Sequence, residues 1–200
     1  MSTGPELRLI GLHAVLVEVG DARAALSLSS HVRASGLAVV DVVPAATTVL
    51  LDGVDPALVP AAIATWDAEQ PVREGPLVEL PTTYDGADLE AVAHHWDTDT
   101  DGVIARHAAT TFVAVFSGFA PGFAYLAGLG ADLAVPRLGT PRSRVPAGSV
   151  ALAGTWCGVY PTASPGGWQL IGRTDAALWD VDRSPPALLA PGTRVRFVAR

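Results

Sequence analysis

The chain has 200 residues, half of them hydrophobic, and a formal net charge of −7, which supports a substantial core and excludes the clustered basic excess of a general nucleic-acid binder. All thirteen basic residues are arginine, so a phosphate loop ending in Gly-Lys-Ser/Thr and Schiff-base chemistry are both excluded. Gly, Pro or charge interrupts each apolar run before the roughly 18 residues of a membrane span, residues 1–25 show no leader pattern, and the single cysteine, Cys157, rules out an intrachain disulfide. A cytoplasmic protein without nucleic-acid or membrane contacts is expected.

Along the chain, Leu12 to Val19 is β-branched and aliphatic, and Asp21 stands at the N-cap of a helical run, ARAALSLSSHVRA, that stops at Gly36. Leu37 to Val43 and Thr47 to Leu51 read as strands, with a turn at Asp52-Gly53. Asp55-Pro56 opens a second helix, whose apolar face carries Leu58, Ala61, Ala62, Ile63 and Trp66. Leu77 to Leu80 reads as a strand closing a small α+β sandwich, and the first domain is placed at residues 1–81.

Residues 82–200 form the second domain. Asp85 to Trp96 and Thr98 to Ala108 read as short helices, the second capped by Thr98 or Asp99 with Val103, Ile104 and His107 on one face. Beyond them, short apolar runs punctuated by Gly and Pro (Thr111–Phe116, Val150–Ala153, Gln169–Ile171, Ala177–Val181 and Arg194–Val198) predict a small closed β-barrel. The fold class is therefore α+β.

Chemistry concentrates between Gly118 and Thr174. From Asp132 to Asp175 no acid or histidine intervenes, yet Arg137, Arg142, Arg144 and Arg173 all lie inside that window. Guanidinium groups suit bidentate recognition of carboxylate or phosphate; pairing with distant acids such as Asp132, Asp175 or Asp180 is the structural alternative. Three Gly-Pro clusters accompany them: one holds Phe119, Pro121, Gly122, Phe123 and Tyr125; another holds Pro146, Gly148 and Ser149. The last holds Tyr160, Ser164, Pro165, Gly166, Gly167 and Trp168. Rigid loops carrying aromatic side chains are the material of a pocket wall. Ser149 lacks the second glycine of a nucleophile elbow, and the histidines are not spaced as metal ligands, so neither a serine triad nor a metal site is expected. Cys157 has no neighbouring cation to activate it and reads as a buried thiol.

The runs GFAPGFAYLAGL at 118–129, PRLGTPRSRVPAGSVALAG at 136–154 and YPTASPGGWQLIGRT at 160–174 closely resemble the first-subunit family of allophanate hydrolase. That family includes the B subunit of prokaryotic 5-oxoprolinase and the Kip-type inhibitor of a sporulation histidine kinase. The resemblance extends to Tyr84-Asp-Gly-Ala-Asp-Leu-Glu-Ala-Val-Ala and to Val103-Ile-Ala-Arg-His107. It implies a small α/β domain followed by a cyclophilin-like barrel, and a second subunit of related barrel fold as partner. Where the family has Gln-Thr, this chain has Trp156-Cys157; where it has Tyr-Arg-Ser, this chain has Ala46-Thr47-Thr48.

The leading function that the resemblance implies is one subunit of an ATP-dependent 5-oxoprolinase complex, using ATP with Mg to open 5-oxo-L-proline to L-glutamate, with a third subunit of different fold. Allophanate or urea-amide hydrolysis is a nearby alternative, disfavoured because the chain has no lysine for a Ser-Ser-Lys centre. Non-catalytic inhibition of a histidine kinase is an alternative of a different class, and prolyl isomerisation rests on fold analogy alone. No general base stands in the arginine-rich segment, so the catalytic groups are unassigned and a partner or another part of the chain must supply one.

Overall fold

A computed structural model describes residues 5–68 and 75–200, and the chain divides into two units, Met1–Arg73 and Glu74–Arg200. In the first, β1 (Glu6–Ile10), β2 (Ala14–Glu18), β3 (Asp41–Pro44) and β4 (Thr48–Asp52) form an antiparallel sheet in the order β1-β2-β4-β3. Helix α1 (Ala22–Ala34) covers it because Ala25, Leu28 and Val32 share one helical face and pack on Val15, Val17, Val42, Val49 and Leu51. Its start is fixed by Asp21, whose carboxylate accepts the Ala24 N–H at 2.8 Å. Asp55 caps a 3₁₀ turn at Pro56–Leu58 that runs into α2 (Val59–Ile63). Strand β1 is additional to the elements expected from the sequence, although its Glu-Leu-Arg-Leu alternation is a strand signal.

The second unit holds β5 (Leu77–Thr82), α3 (Leu89–His95), α4 (Thr100–Ala109), β6 (Phe112–Ser117), β7 (Ala124–Ala127) and β8 (Arg142–Val145). It continues with β9 (Ser149–Ala153), β10 (Trp156–Val159), β11 (Ser164–Gly166), β12 (Gln169–Arg173) and β13 (Arg194–Ala199). Seven strands follow the order β12-β9-β10-β7-β6-β13-β5, and β8 and β11 form a separate two-stranded ribbon. The outer edges meet: the Thr83 N–H donates to the Arg173 carbonyl at 2.9 Å and the Arg173 N–H returns to the Thr83 carbonyl at 2.8 Å. This reciprocal pair brings the seven-stranded sheet nearly to closure, matching the expected small α+β domain followed by a barrel, and it masks two otherwise open edges.

Two expectations are corrected. Leu77–Leu80, expected to close the small domain, lies in β5, which runs parallel to β13 from Leu77 opposite Arg194 to Thr82 opposite Ala199. It belongs to the barrel sheet, because local alternation specifies a strand without specifying its neighbour. Ala177–Val181, expected as a strand, makes only an isolated bridge, Trp179 to Ala187. There the Leu178 carbonyl accepts the Leu188 N–H at 2.9 Å and the Pro186 carbonyl accepts the Asp180 N–H at 3.0 Å, and the Arg183 guanidinium donates to the same two carbonyls at 3.3 Å and 2.7 Å.

His107 lies at the centre of the barrel core, fully buried between Phe112 and Phe197. Its Nδ1 is 2.8 Å from the Tyr84 hydroxyl and its Nε2 is 3.4 Å from Cys157 Sγ. Burial pushes the Tyr84 and Cys157 ionisations up and lowers the His107 pKa to about 3, so the trio is a neutral hydrogen-bonded chain and the thiol is inert. The unfolded chain takes up this proton near pH 6.5. Stability from this group is therefore complete above that pH and is lost as pH falls toward 3, with a slope of at most about 1.4 kcal/mol per pH unit. In urea melts between pH 7 and 4, wild type is expected to lose its advantage over His107→Gln progressively below pH 6.5; a pH-independent difference contradicts a neutral buried imidazole.

Candidate functional site

Hairpin β6–β7, strand β10 and the segment from Tyr160 to Trp168 bring aromatic side chains from separate stretches of sequence to one side of the barrel. Phe123 is the hub, with ring centroids 5.3 Å from Phe119, 5.2 Å from Tyr125, 5.7 Å from Tyr160 and 5.5 Å from Trp168, all edge-to-face. Edge-to-face packing of this kind adds about 0.5–1.5 kcal/mol per pair beyond burial, so the wall is rigid. Phe119 holds a left-handed backbone, φ 68°, and is 59% exposed at the lip. A non-glycine residue in that conformation is uncommon and marks a segment whose geometry the surrounding turn imposes.

These rings enclose a cavity of about 210 Å³, lined by Phe119, Phe123, Tyr125, Arg137, Tyr160, Pro165, Gly166 and Trp168. A second cavity of about 500 Å³, lined by Tyr125, Val135, Pro136, Arg137, Ala153, Gly154, Trp156 and Trp168, shares Tyr125, Arg137 and Trp168 with it. The two are lobes of one cleft, with Arg137 on the divide. Among the described residues, no carboxylate lines either lobe. Arg137 is exposed and makes no ion pair among the described residues. At Gly166 a Cβ would run into the Tyr160 hydroxyl, so only glycine lets the ring lie against β11. Burial raises the Tyr160 ionisation, partly offset by the Trp168 backbone N–H and the charges of Arg137 and Arg142.

The other arginines divide. Arg142 Nη2 donates to Asp88 Oδ1 at 2.8 Å, and Arg173 Nε donates to Asp85 Oδ2 at 2.8 Å. The partner acids thus come from Tyr84–Leu89, not from Asp132, Asp175 or Asp180. Asp175 pairs instead with Arg200. Arg173 is exposed and lines neither lobe; Arg144 is exposed and without an ion pair among the described residues. Pro121 and Gly122 lie in the β6–β7 turn, where the Phe123 N–H donates to the Ala120 carbonyl at 2.9 Å. Pro146, Gly148 and Ser149 build the β8–β9 turn: the Ser149 hydroxyl donates to the Pro146 carbonyl at 2.8 Å and the Gly148 N–H to the Tyr160 carbonyl at 2.7 Å. The Gly167 carbonyl accepts the Leu138 N–H at 2.8 Å, and the Ser164 hydroxyl is buried in β11 without a hydrogen-bond partner among the described residues. Asp88 and the Val135, Pro136 and Trp156 wall were not among the sequence candidates, although Asp88 and Pro136 lie in runs that resemble the family and Trp156 stands out as a departure from its pattern.

The family description "carboxyltransferase domain, subdomain C and D" matches residues 5–189, and the chain belongs to that family. It is 45% identical over 137 residues to the 5-oxoprolinase B subunit of Escherichia coli O157:H7, covering 66% of this chain and 63% of that protein. With the 5-oxoprolinase B subunit of Bacillus subtilis (strain 168) it shares 46% identity over 125 residues, covering 61% of this chain and 52% of that protein. The match thus spans less than two thirds of these relatives' length. The crystal structure of TTHA0988 superposes with a TM-score of 0.76 at 35% identity, over 98% of this chain and 40% of that one.

Gly158 backs the aromatic wall: a Cβ there would stand 2.8 Å from Phe123 Cζ and 3.1 Å from Trp168 Cζ3. Gly158→Ala is expected to displace these rings and lower stability by about 1–3 kcal/mol. Urea unfolding and near-ultraviolet circular dichroism check it; an unchanged aromatic signal contradicts the packing described.

Proposed function

We propose that the chain acts as the B subunit of an ATP-dependent 5-oxoprolinase complex that opens 5-oxo-L-proline to L-glutamate, and that the aromatic cleft is where this chain meets the substrate. The observation that carries the reading is the 210 Å³ lobe itself: aromatic walls of a size for a single small ring, with Arg137 and, among the described residues, no carboxylate. Relatives named as the 5-oxoprolinase B subunit support the assignment. Apolar ring walls with a few convergent polar groups are the usual make-up of a small-molecule site.

The cleft binds and orients; the groups that line it do not supply a base. Tyr125 and Tyr160 bring the hydroxyls of the small lobe, and burial raises the Tyr160 ionisation, so that hydroxyl is protonated at neutral pH. His107 and Cys157 are sealed in the core. In this reading a partner subunit or another part of this chain supplies the proton acceptor that activates water. ATP, when bound, would supply the phosphoryl group that activates the lactam carbonyl carbon to attack by water, and the ring C–N bond is the one that then breaks to release the amine. Magnesium is held through carboxylates and phosphates, and in this reading the absence of carboxylates from the lining of both lobes supports Mg-ATP binding outside the cleft. The partners in this reading are a second subunit of related barrel fold and a third of different fold.

The test is ATP turnover by this chain co-purified with both partner subunits, with and without 5-oxo-L-proline. Substrate-dependent hydrolysis with glutamate release is expected; a stable complex lacking it overturns the reading. In the active complex, Arg173→Ala should leave turnover within about twofold, because an exposed surface pair such as Arg173–Asp85 contributes little.

A further inference from the structure

The sheet of the first unit ends in β1 on one side and β3 on the other, and the two edges differ in what meets them. At β3 side chains close the edge. The Val42 N–H donates to Asp41 Oδ1 at 2.7 Å, Arg33 Nη2 donates to the Val42 carbonyl at 2.6 Å, and Pro44 has no N–H to offer. Among the described residues nothing plays that part at β1. Its backbone pairs with β2 on one side, and all five residues, Glu6 to Ile10, are exposed. An open edge of this kind is a template on which a further extended segment pairs.

The side chains of β1 say which segment. Leu7 stands opposite Val17 and Leu9 opposite Val15, so both leucines lie on the sheet face that carries the core. Yet Leu7 is 36% and Leu9 67% exposed, because the α1-covered cluster ends at Val15 and Val17. On the other face Glu6 and Arg8 are neighbours of opposite sign. Arg8 Nη2 reaches Glu18 of β2 at 2.6 Å, an exposed pair that leaves the guanidinium with further donors.

We propose that β1 is a self-association surface: two copies of this chain pair antiparallel, β1 against β1, about a two-fold axis at Leu7. In that register each Glu6 faces Arg8 of the second copy, Leu7 faces Leu7, and the Leu7 and Leu9 side chains of both copies form one apolar stripe on the core face. Neighbouring two-fold registers lose these contacts. Centring on Arg8 sets two guanidinium groups opposite each other, and centring on Leu9 sets Arg8 opposite Ile10. The strand is therefore complementary to its own reverse in one register, which is the property an isologous interface requires. The two four-stranded sheets then continue as one. The inference is independent of the substrate reading, since no cleft residue takes part.

The experiment is analytical ultracentrifugation of the full chain over a concentration series, where a concentration-dependent monomer–dimer equilibrium is expected. Glu6→Arg and Arg8→Glu each set like charges opposite one another at both contacts and should weaken the dimer about tenfold or more. Mixed in equal amounts, the two variants carry β1 strands of opposite charge and should associate within about threefold of wild type. Both positions are exposed, and far-ultraviolet circular dichroism checks that each variant folds. A chain that stays monomeric throughout overturns the proposal, and if a partner subunit's binding is then lost in these variants, the edge belongs to that partner. A dimer that both variants leave unchanged forms elsewhere, and a dimer that mixing fails to restore uses another register; either result also overturns it.

Discussion

The buried carboxylate of Asp88 connects the parts of the barrel unit that the cleft requires. It sits at the start of α3, where an aspartate would ordinarily cap the helix, yet its oxygens are engaged by the Leu170 N–H of β12 and by Arg142 of β8. Its own N–H donates to the Leu170 carbonyl at 2.9 Å, and its carbonyl accepts from Val92. One residue thereby ties a helix, a barrel strand and the β8–β11 ribbon. Removing one member of such a pair strands the other charge in the interior, a loss of roughly 3–5 kcal/mol, so the ribbon and the helix cannot move independently. The cost of burying the pair secures a fixed direction for a guanidinium beside the cleft.

Around that anchor the barrel separates inert from available chemistry by burial. Tyr84, His107 and Cys157 in isolation would suggest a reactive cluster, but all three are held neutral by desolvation and by one another. At the cleft, by contrast, Phe119 and Arg137 remain exposed.

Much of the fold is legible in the amino-acid order because local signals there are strong. Asp21, Asp55 and Asp99 cap helical segments where their spacing to the following residues indicates, and α1 runs over the expected thirteen residues. The β6, β9, β12 and β13 runs are recognisable from β-branched content. Strands β7, β8, β10 and β11 are not, because they pass through Gly- and Pro-rich motifs whose local preference is for turns; pairing with neighbours overrides it.

The same division holds at the site. By itself the sequence determined the presence of an arginine-only, acid-free segment with aromatic clusters, since residue identity and charge are fixed by composition. Which arginines are engaged was decided by the tertiary structure alone. Asp88 precedes Arg142 by 54 residues and Asp85 precedes Arg173 by 88, separations at which no local rule couples them. Closure of the barrel brings Tyr84–Leu89 against β12, and that contact occupies Arg173, half-occupies Arg142 and leaves Arg137 to the cleft. Long-range pairing depends on which strands become neighbours, and a single strand's pattern does not carry that information.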